Sequence, residues 1–520
     1  ELYNFTTLQH SNLTTTKMKI PAWLKNYDTL IASAAGFYLI YLYTKYSGIG
    51  VSPDSIMYTS AARSLHAHGS LITFNNTPIT DFPVFYPFFL WIILFTTGAD
   101  PFAAGPVLNG LLYAALIFLS GWMIQRFRPN SWLYKWVMLI AIVLSPALLY
   151  IYTYLWSETL FMLIILFFII ACRQYLVKHS ISTLLVFGFV AALGTITRYA
   201  GITLIATGGL LMLLDRALIL KRKIQHIFIY GVTACSLLVL NLIRNTMGTG
   251  RLTGPREASI TPFWKNMYYF GTVMCDWAGF PPQTYALATV LTTLLFIAII
   301  AVLAWHYFKK SIRTYETILI TFTLIYGLFI VVSSTFSRYE RINSRLLAPL
   351  FIPLLLTCTY WTIEFTEMLR QKWKYAVVSV FVILMLGFSY QELAADLQRY
   401  DDEMDYGVPG YTDDSWNKSA FAAYLKKGPA NFQPGIPIYS DANDALYYTS
   451  GMYVKLLPHR YFKADIDKFY KVKHYYLVWF NSMDNPELIS LKDIVKVEKL
   501  KLLKQFEDGA IYEYEETANK

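Results

Sequence analysis

The sequence predicts a mainly α membrane protein: a bundle of about 11 transmembrane helices with external juxtamembrane helices, followed by a C-terminal external α/β domain. Three observations predict it. The chain of 520 residues is 55% hydrophobic and 17% aromatic, with 15% charged residues and a mean hydropathy of +0.39, which excludes an ordinary soluble enzyme. Apolar runs of about 20 residues, the length that crosses a hydrocarbon core of about 30 Å, recur through the first three quarters of the chain. Basic residues gather in every second connection between those runs, as they do where charge sets membrane orientation. That placement, rather than nucleic acid, accounts for the net charge of +10.

The elements follow in order. Residues 1–27 read as a cytoplasmic N-terminal segment. Within it "ELYNFTTLQHSNLTTTK" is polar and unpatterned, whereas "MKIPAWLKNYDTLIASAAGF" reads as a natural start at Met18, so residues 1–17 are expected to be an unstructured extension or a misplaced start. The first apolar run is long and lacks a small-residue cleavage site, which makes it an anchor and not a signal peptide. The polytopic region is 28–390, with spans at 28–46, 103–125, 135–154, 158–176, 181–198, 200–215, 226–244, 284–306, 315–334, 346–364 and 375–390. The basic connections carry Lys17, Lys19 and Lys25; Arg126, Arg128 and Lys135; Arg173 and Lys178; Arg216, Lys221, Arg222 and Lys223; Lys309, Lys310 and Arg313; and Arg370, Lys372 and Lys374. With the N-terminus cytoplasmic, this puts 47–102, 245–283, 335–345 and everything after about 391 on the outside.

The stretch 84–97, "VFYPFFLWIILFTT", is too short to span and contains Pro87; counting it would invert every later loop. It reads as a re-entrant or interface-lying helix, with aromatics suited to the headgroup boundary. After Tyr390 the chain turns polar, and "YYLVWF" and "GAIYEYEE" read as strands with helical patterns between, so 391–520 is assigned to an external α/β domain. The four cysteines, Cys172, Cys235, Cys275 and Cys358, have no CxxC spacing, so neither a disulfide framework nor a zinc site is expected.

Ionisable groups at membrane depth cost about 2.5–3.5 kcal/mol each on insertion scales, so they are functional candidates. Several fall on the outer side. Asp54 opens the first external loop, 47–102; Glu158 opens a span in "YLWSETLF"; Arg198 ends one in "TITRYAG"; "FSRYERINSRLLAP" supplies Arg338, Glu340, Arg341 and Arg345; and Arg244, Arg251, Arg256 and Lys265 lie in 244–265. Each has an ordinary reading. Asp54 caps the helix 55–68, Glu158 is a first-turn acid favoured by the helix dipole, and Arg198 reaches for headgroups. Arg338, Arg341 and Arg345, at spacings of three and four, line one helical face. His66 and His68, two apart on a helix, point away from each other and do not form a metal site.

Together the groups say more. A hydroxyl acceptor needs a carboxylate to take its proton, and a departing phosphate needs fixed guanidinium groups. Two acids and several arginines on one membrane face therefore point to group transfer from a lipid-linked phosphate.

On these residues the chain resembles a known family. "SPDSIMYTSAARSL…G…PVFYPFFLWI" is similar to the first external loop of the GT-C glycosyltransferases, closest to the bacterial protein mannosyltransferases and the aminoarabinose transferase of lipid A. "SETLF", "TRYAG", "R…RLLAPLFIPLL" and "IPIYSDANDALYYTSG…LP" are similar to that group as well. The resemblance implies a GT-C-type bundle, a polyprenyl-phosphate-linked sugar donor, a hydroxyl-bearing acceptor (lipid, glycan or protein) and transfer with inversion, in a cell-envelope enzyme. It implies Asp54 as the catalytic first-loop acid, Glu158 as a second acid, and Arg338, Arg341, Arg345 and Arg198 as donor-phosphate contacts. Tyr58, Arg63, Tyr86, Tyr199 and Tyr339 are further candidate substrate contacts, although a headgroup contact is the plainer reading of Arg63. No metal or other cofactor is expected. The helix after Asp54 is expected to lie amphipathically along the surface with Met57, Ala61 and Leu65 inward.

This sequence departs from the group's pattern in having a single Asp54-Ser55 where some mannosyltransferases have an acidic pair, and Glu340 inside the basic stretch. Three other classes remain: a transporter or flippase of lipid-linked sugars, which calls for mid-membrane polar groups and half-repeats that the sequence lacks; a membrane interaction protein; and an oligosaccharide ligase or polymerase.

Overall fold

A lipid core offers no water to hydrogen-bond the backbone, so each apolar run must satisfy its own N–H and C=O groups as a helix. The computed structural model describes residues 27–127, 131–254, 256–309, 312–338, 340–428, 432–481, 483 and 485–516. The expectations for residues 1–26 and for Tyr339 lie outside the described residues. The helices are α1 (Tyr27–Thr44), α2 (Pro53–His68), α3 (Phe85–Thr97), α4 (Pro101–Phe127), α5 (Trp132–Val143), α6 (Pro146–Tyr152), α7 (Ser157–Lys178), α8 (Ile181–Thr197), α9 (Ile202–Leu214), α10 (Leu220–Thr249), α11 (Phe263–Trp277), α12 (Ala288–Lys309), α13 (Tyr315–Phe336), α14 (Ser344–Met368) and α15 (Gln371–Tyr406).

Among the described residues seven helices are long and apolar enough to cross a membrane, α4, α7, α10, α12 with its 3-10 lead-in, α13, α14 and α15; counting the bent pair α5 and α6 as one span makes eight. The run predicted as one span over 135–154 is thus broken, with a bend of 52°. Pro146 explains the break: it lacks an N–H and is accommodated only at the start of a new helix, where the Ser145 hydroxyl accepts from the Leu148 N–H at 3.4 Å. The other three predicted runs are helical too, but shorter or more polar. They are α1, with 18 residues and Asp28 in its first turn, α8, with 17, and α9, with 13.

Several helix ends are joined by ion pairs. Asp28 and Lys135 meet at 2.7 Å, and Asp215 takes His179 at 2.6 Å and Arg313 at 3.2 Å. All five residues belong to connections that the charge pattern puts on one face. At the opposite ends Gly50 bridges to Tyr154, and the Tyr199 hydroxyl donates to the Thr80 carbonyl at 3.0 Å. Helix α1 lies close on α4 because small residues line the seam: a Cβ on Gly36 would come within 2.2 Å of Ile117 Cδ1, and one on Gly121 within 2.6 Å of Thr29 Cγ2.

Helix α15 runs without a break through residue 390, where the sequence reading divides the chain. Two short helices, α16 (Asp414–Asn417) and α17 (Ala420–Leu425), lead into a five-stranded sheet. In chain order the elements are β1 (Ile438–Ser440), α18 (Asn443–Ser450), β2 (Lys455–Leu456), α19 (Lys463–Phe469), β3 (His474–Phe480), α20 (Leu491–Val497), β4 (Lys501–Gln505) and β5 (Gly509–Glu515). The spatial order is β2-β1-β3-β5-β4; β1 is parallel to β2 and β3, and β5 is antiparallel to β3 and β4. Both stretches read as strands, "YYLVWF" and "GAIYEYEE", are strands, β3 and β5.

Helix α2 departs from the expected surface helix. Ala61 is buried, but Met57 and Leu65 are only half-buried, while Ser55, Ile56, Tyr58, Thr59 and Ser60 are buried around the full turn. The reason is a second apolar neighbour. Tyr58 and Ala61 join the core of the bundle, whereas Val51, Ile56 and Phe74 join a core with Tyr411, Leu446 and Val454 of the sheet region. The first loop is thereby clamped between the helices and the sheet.

Candidate active site

Asp54 sits in the first turn of α2, beside the position where its ordinary role would be the cap. That role falls to its neighbours: Ser52 is the N-cap, and the Ser55 hydroxyl accepts from the Ser52 N–H at 3.1 Å. The Asp54 carboxylate reaches across the sequence to Arg345 Nη2 instead. Arg345 lies at the start of α14, whose cap is Asn343, accepting from the Leu346 N–H at 3.0 Å.

From Arg345 the network continues inward. Its Nε donates to Glu158 Oε1 at 2.6 Å, and Glu158 Oε2 takes Arg198 Nη1, also at 2.6 Å. Glu158 is 0% exposed and opens α7; Arg198 closes α8. Four segments far apart in sequence thus deliver two carboxylates and two guanidinium groups in an unbroken chain, Asp54–Arg345–Glu158–Arg198, with balanced formal charge. Buried charge of this kind persists only when paired.

The surroundings fix this chain in place. The Arg345 guanidinium lies over the Trp156 ring at 4.1 Å, and the Trp156 indole N–H donates to the Ser52 hydroxyl at 2.7 Å. Arg198 Nη1 also donates to the Ser157 hydroxyl at 2.9 Å, which meets the Tyr58 hydroxyl at 3.1 Å. Burial pushes the Tyr58 hydroxyl well above the usual tyrosine range, so it acts as a neutral hydrogen-bonding group. Its ring packs edge-on against Tyr86 at 4.9 Å.

The remaining candidates divide. Arg341 lies over the Tyr269 ring at 4.3 Å and lines a pocket of about 420 Å³ with Glu340, Asn343, Thr272 and Asp276, beside the network. Glu340 Oε1 stands 4.0 Å from Arg345 Nη1, and burial raises its carboxyl against the opposing pull of Arg345. Arg338 is spent elsewhere: it holds Glu257 at 3.0 Å and Glu487 at 2.6 Å, tying the approach to α14 to the sheet region. The expected single helical face of Arg338, Arg341 and Arg345 does not form, because α14 begins only at Ser344. Arg63 is likewise paired, with Asp100 at 2.7 Å, and contacts neither the network nor open solvent as a lone cation. Tyr199 joins the first loop to α10 through Thr80 and Asn245 rather than reaching the carboxylates.

Sequence reasoning missed Trp156, Ser157, Ser52 and Asp81. Asp81, from "PITDFP", is pressed by the loop after α10; burial raises its carboxyl, and Arg256 and Arg251 act against that rise. The one signal for it was an acid between prolines in an external loop. Arg244, among the basic residues of 244–265, serves the same loop by donating to the Ile79 carbonyl at 2.7 Å and the Leu71 carbonyl at 3.0 Å.

No family model matches the chain, and no curated protein matches it by sequence. Solved structures do. The crystal structure of ArnT from Cupriavidus metallidurans in the apo state matches with a TM-score of 0.57 at 12% identity, covering 93% of this chain and 97% of that one. The crystal structure of ArnT from the same organism bound to undecaprenyl phosphate matches with a TM-score of 0.57 at 11% identity, covering 94% and 98%. At such identity the likeness is one of fold. The chain is a multi-pass membrane protein with an ArnT-like fold and a C-terminal α/β sheet region.

Proposed function

We propose that the chain is an integral-membrane glycosyltransferase that moves a sugar from a polyprenyl-phosphate-linked donor to an acceptor hydroxyl on the outer, periplasmic face, with the N-terminus cytoplasmic. The observation that carries this reading is the Asp54–Arg345–Glu158–Arg198 network, assembled from α2, α14, α7 and α8. The fold likeness to a protein whose structure holds undecaprenyl phosphate supports the choice of donor.

Each group then has a task. Glu158, held by two arginines, fixes the Arg345 guanidinium in position. Arg341, which lines the pocket with Glu340, and Arg345, whose Nη1 stands 4.0 Å from Glu340 Oε1, receive the donor phosphate. A phosphate at Arg345 competes with Asp54 for its Nη2 and so releases the carboxylate as general base. The acceptor oxygen attacks the anomeric carbon and its proton passes to Asp54. The bond between that carbon and the phosphate oxygen breaks, and polyprenyl phosphate leaves with its new charge held by the guanidinium groups. A single displacement of this kind inverts the anomeric centre.

The test is transfer or hydrolysis of radiolabelled sugar from polyprenyl-phosphate donors by purified protein in nanodiscs, wild type beside Asp54→Asn. Removing a general base costs about 10²–10⁴ in rate. Loss of that order in a variant that melts like wild type supports the reading. Equal turnover would remove Asp54 from catalysis, and movement of donor between leaflets without turnover would replace the reading with a transporter.

A further inference from the structure

A second cleft lies apart from the pocket beside Glu340. It has a volume of about 1510 Å³ and opens between the loop after α10 and the β2 edge of the sheet. Pockets for small molecules occupy about 300–1000 Å³, so this one has room for several sugar rings.

Its lining is one-sided in charge. Arg251, Arg256, Lys455, Lys463 and Lys468 contribute to the wall, and the one acid among the lining residues, Asp465, is 3.2 Å from Lys468. Exposed aromatic rings stand beside these cations: Tyr461 is 62% exposed and Phe462 39%. Cations with exposed aromatic rings fit a saccharide that carries anionic groups, the charge meeting lysine and arginine and the ring C–H edges meeting the electron-rich faces.

The cleft also reaches toward the catalytic loop. Asn75 of the first external loop lines it, and the Asn443 side-chain amide donates to Asn75 Oδ1 at 2.6 Å. On the other wall the Gly254 N–H donates to the Thr80 carbonyl at 3.2 Å, next to Asp81. Both walls therefore rest on the segment that carries Asp54.

We infer that this cleft binds an anionic saccharide as the acceptor, presenting a hydroxyl to Asp54; the acceptor role rests on the transferase reading, whereas the binding does not. The test uses fluorescent oligomannosides bearing phosphomonoesters, oligogalacturonates bearing carboxylates, and neutral oligomannosides, titrated onto the full-length protein in nanodiscs of zwitterionic lipid. The variant is Arg251→Glu/Lys455→Glu/Lys463→Glu, three exposed positions away from the proposed catalytic machinery.

At least one anionic probe should bind at least about 10-fold more tightly than the neutral one at low salt, weaken as salt rises, and lose that advantage in the variant. The two anionic arms tell phosphate from carboxylate. Equal binding of charged and neutral probes, no binding of any probe, or an unaffected variant would overturn the inference. Donor hydrolysis, with water as acceptor, is measured in parallel. It should persist in the triple variant, so lost hydrolysis in wild type and lost saccharide binding report separately on the reaction and on the cleft.

Discussion

Glu158 holds two guanidinium groups at once, Arg198 through Oε2 and Arg345 through Oε1, each at 2.6 Å, and its side chain is 1% exposed. Replacing it with glutamine removes one negative charge from the interior and leaves both cations in place. Arg345 keeps Asp54, but Glu158 is the one carboxylate paired with Arg198 among the described residues. Breaking a buried pair from one side costs about 3–5 kcal/mol, so Glu158→Gln is expected in that range. Arg198→Gln leaves Glu158 with Arg345 and should cost less, about 1–3 kcal/mol. The double variant removes one charge of each sign, and two glutamines at that spacing can hydrogen-bond. It should be more stable than the sum of the single losses by about 1–3 kcal/mol. The measurement is equilibrium unfolding in mixed micelles for the four proteins of this cycle. Additivity within about 0.5 kcal/mol, or a greater loss from Arg198→Gln than from Glu158→Gln, would refute the charge-pair reasoning.

Arg345→Lys keeps the charge but cannot offer Asp54 and Glu158 separate nitrogens of one planar group, so turnover should fall at least about 10-fold while the melting temperature changes little. Burial pushes the Asp441 carboxyl up to about 7, with the Phe480 N–H bonded to it at 3.1 Å. Its folded pKa lies above its unfolded one, so the folded chain holds the extra proton and stability should fall as pH rises from about 4 to about 7; Asp441→Asn, still able to accept from Phe480, should flatten that part of a melting-versus-pH profile. A methyl group on Gly254 would sit 1.6 Å from Asp81 Oδ1 and 3.0 Å from Asp81 Cα. Gly254→Ala must displace that acid at about 1–3 kcal/mol, and an unchanged melting curve would show that the loop is not seated there.

Much of the bundle was legible because the bilayer dictates it. A run long enough to cross must be a helix, and the spacing of Arg126, Lys135, Arg216 and Arg313 along the chain carried the alternation that the Asp28–Lys135 and Asp215–Arg313 pairs display. The break in the third run was written in Ser145-Pro146 but was masked by continuous hydrophobicity on either side. Asp54, Glu158, Arg198 and Arg345 stood out because charge is costly there. Their order in space did not: Arg338, Arg341 and Arg345 look alike in sequence, and only the start of α14 at Ser344 separates the one that turns inward from the two that precede the helix. Trp156 and Ser157 gave no warning, since an aromatic and a serine are unremarked among 40 tyrosines and 35 phenylalanines. Their importance comes from what is opposite them, Arg345 and Arg198, and that is tertiary information.

The same contacts bear on the choice between a transferase and a carrier of lipid-linked sugars. A carrier must expose its site alternately to both faces, and it does so by rocking one half of the bundle against the other about a site near mid-membrane. Here the charged chain joins α2, α7, α8 and α14 at their ends, and the cover above it is bonded down at several points. The Tyr154 hydroxyl donates to the Pro409 carbonyl at 2.7 Å, the Tyr411 N–H to the Val51 carbonyl at 3.0 Å, and Arg338 bridges Glu257 and Glu487. Rocking would have to break buried ion pairs and these bonds together, at several kcal/mol for the pairs alone. A transfer reaction needs the opposite: charged groups held still while a phosphate arrives and departs, so that their orientation costs nothing at the moment of reaction. The rigidity of the network therefore favours chemistry at one face over passage between two.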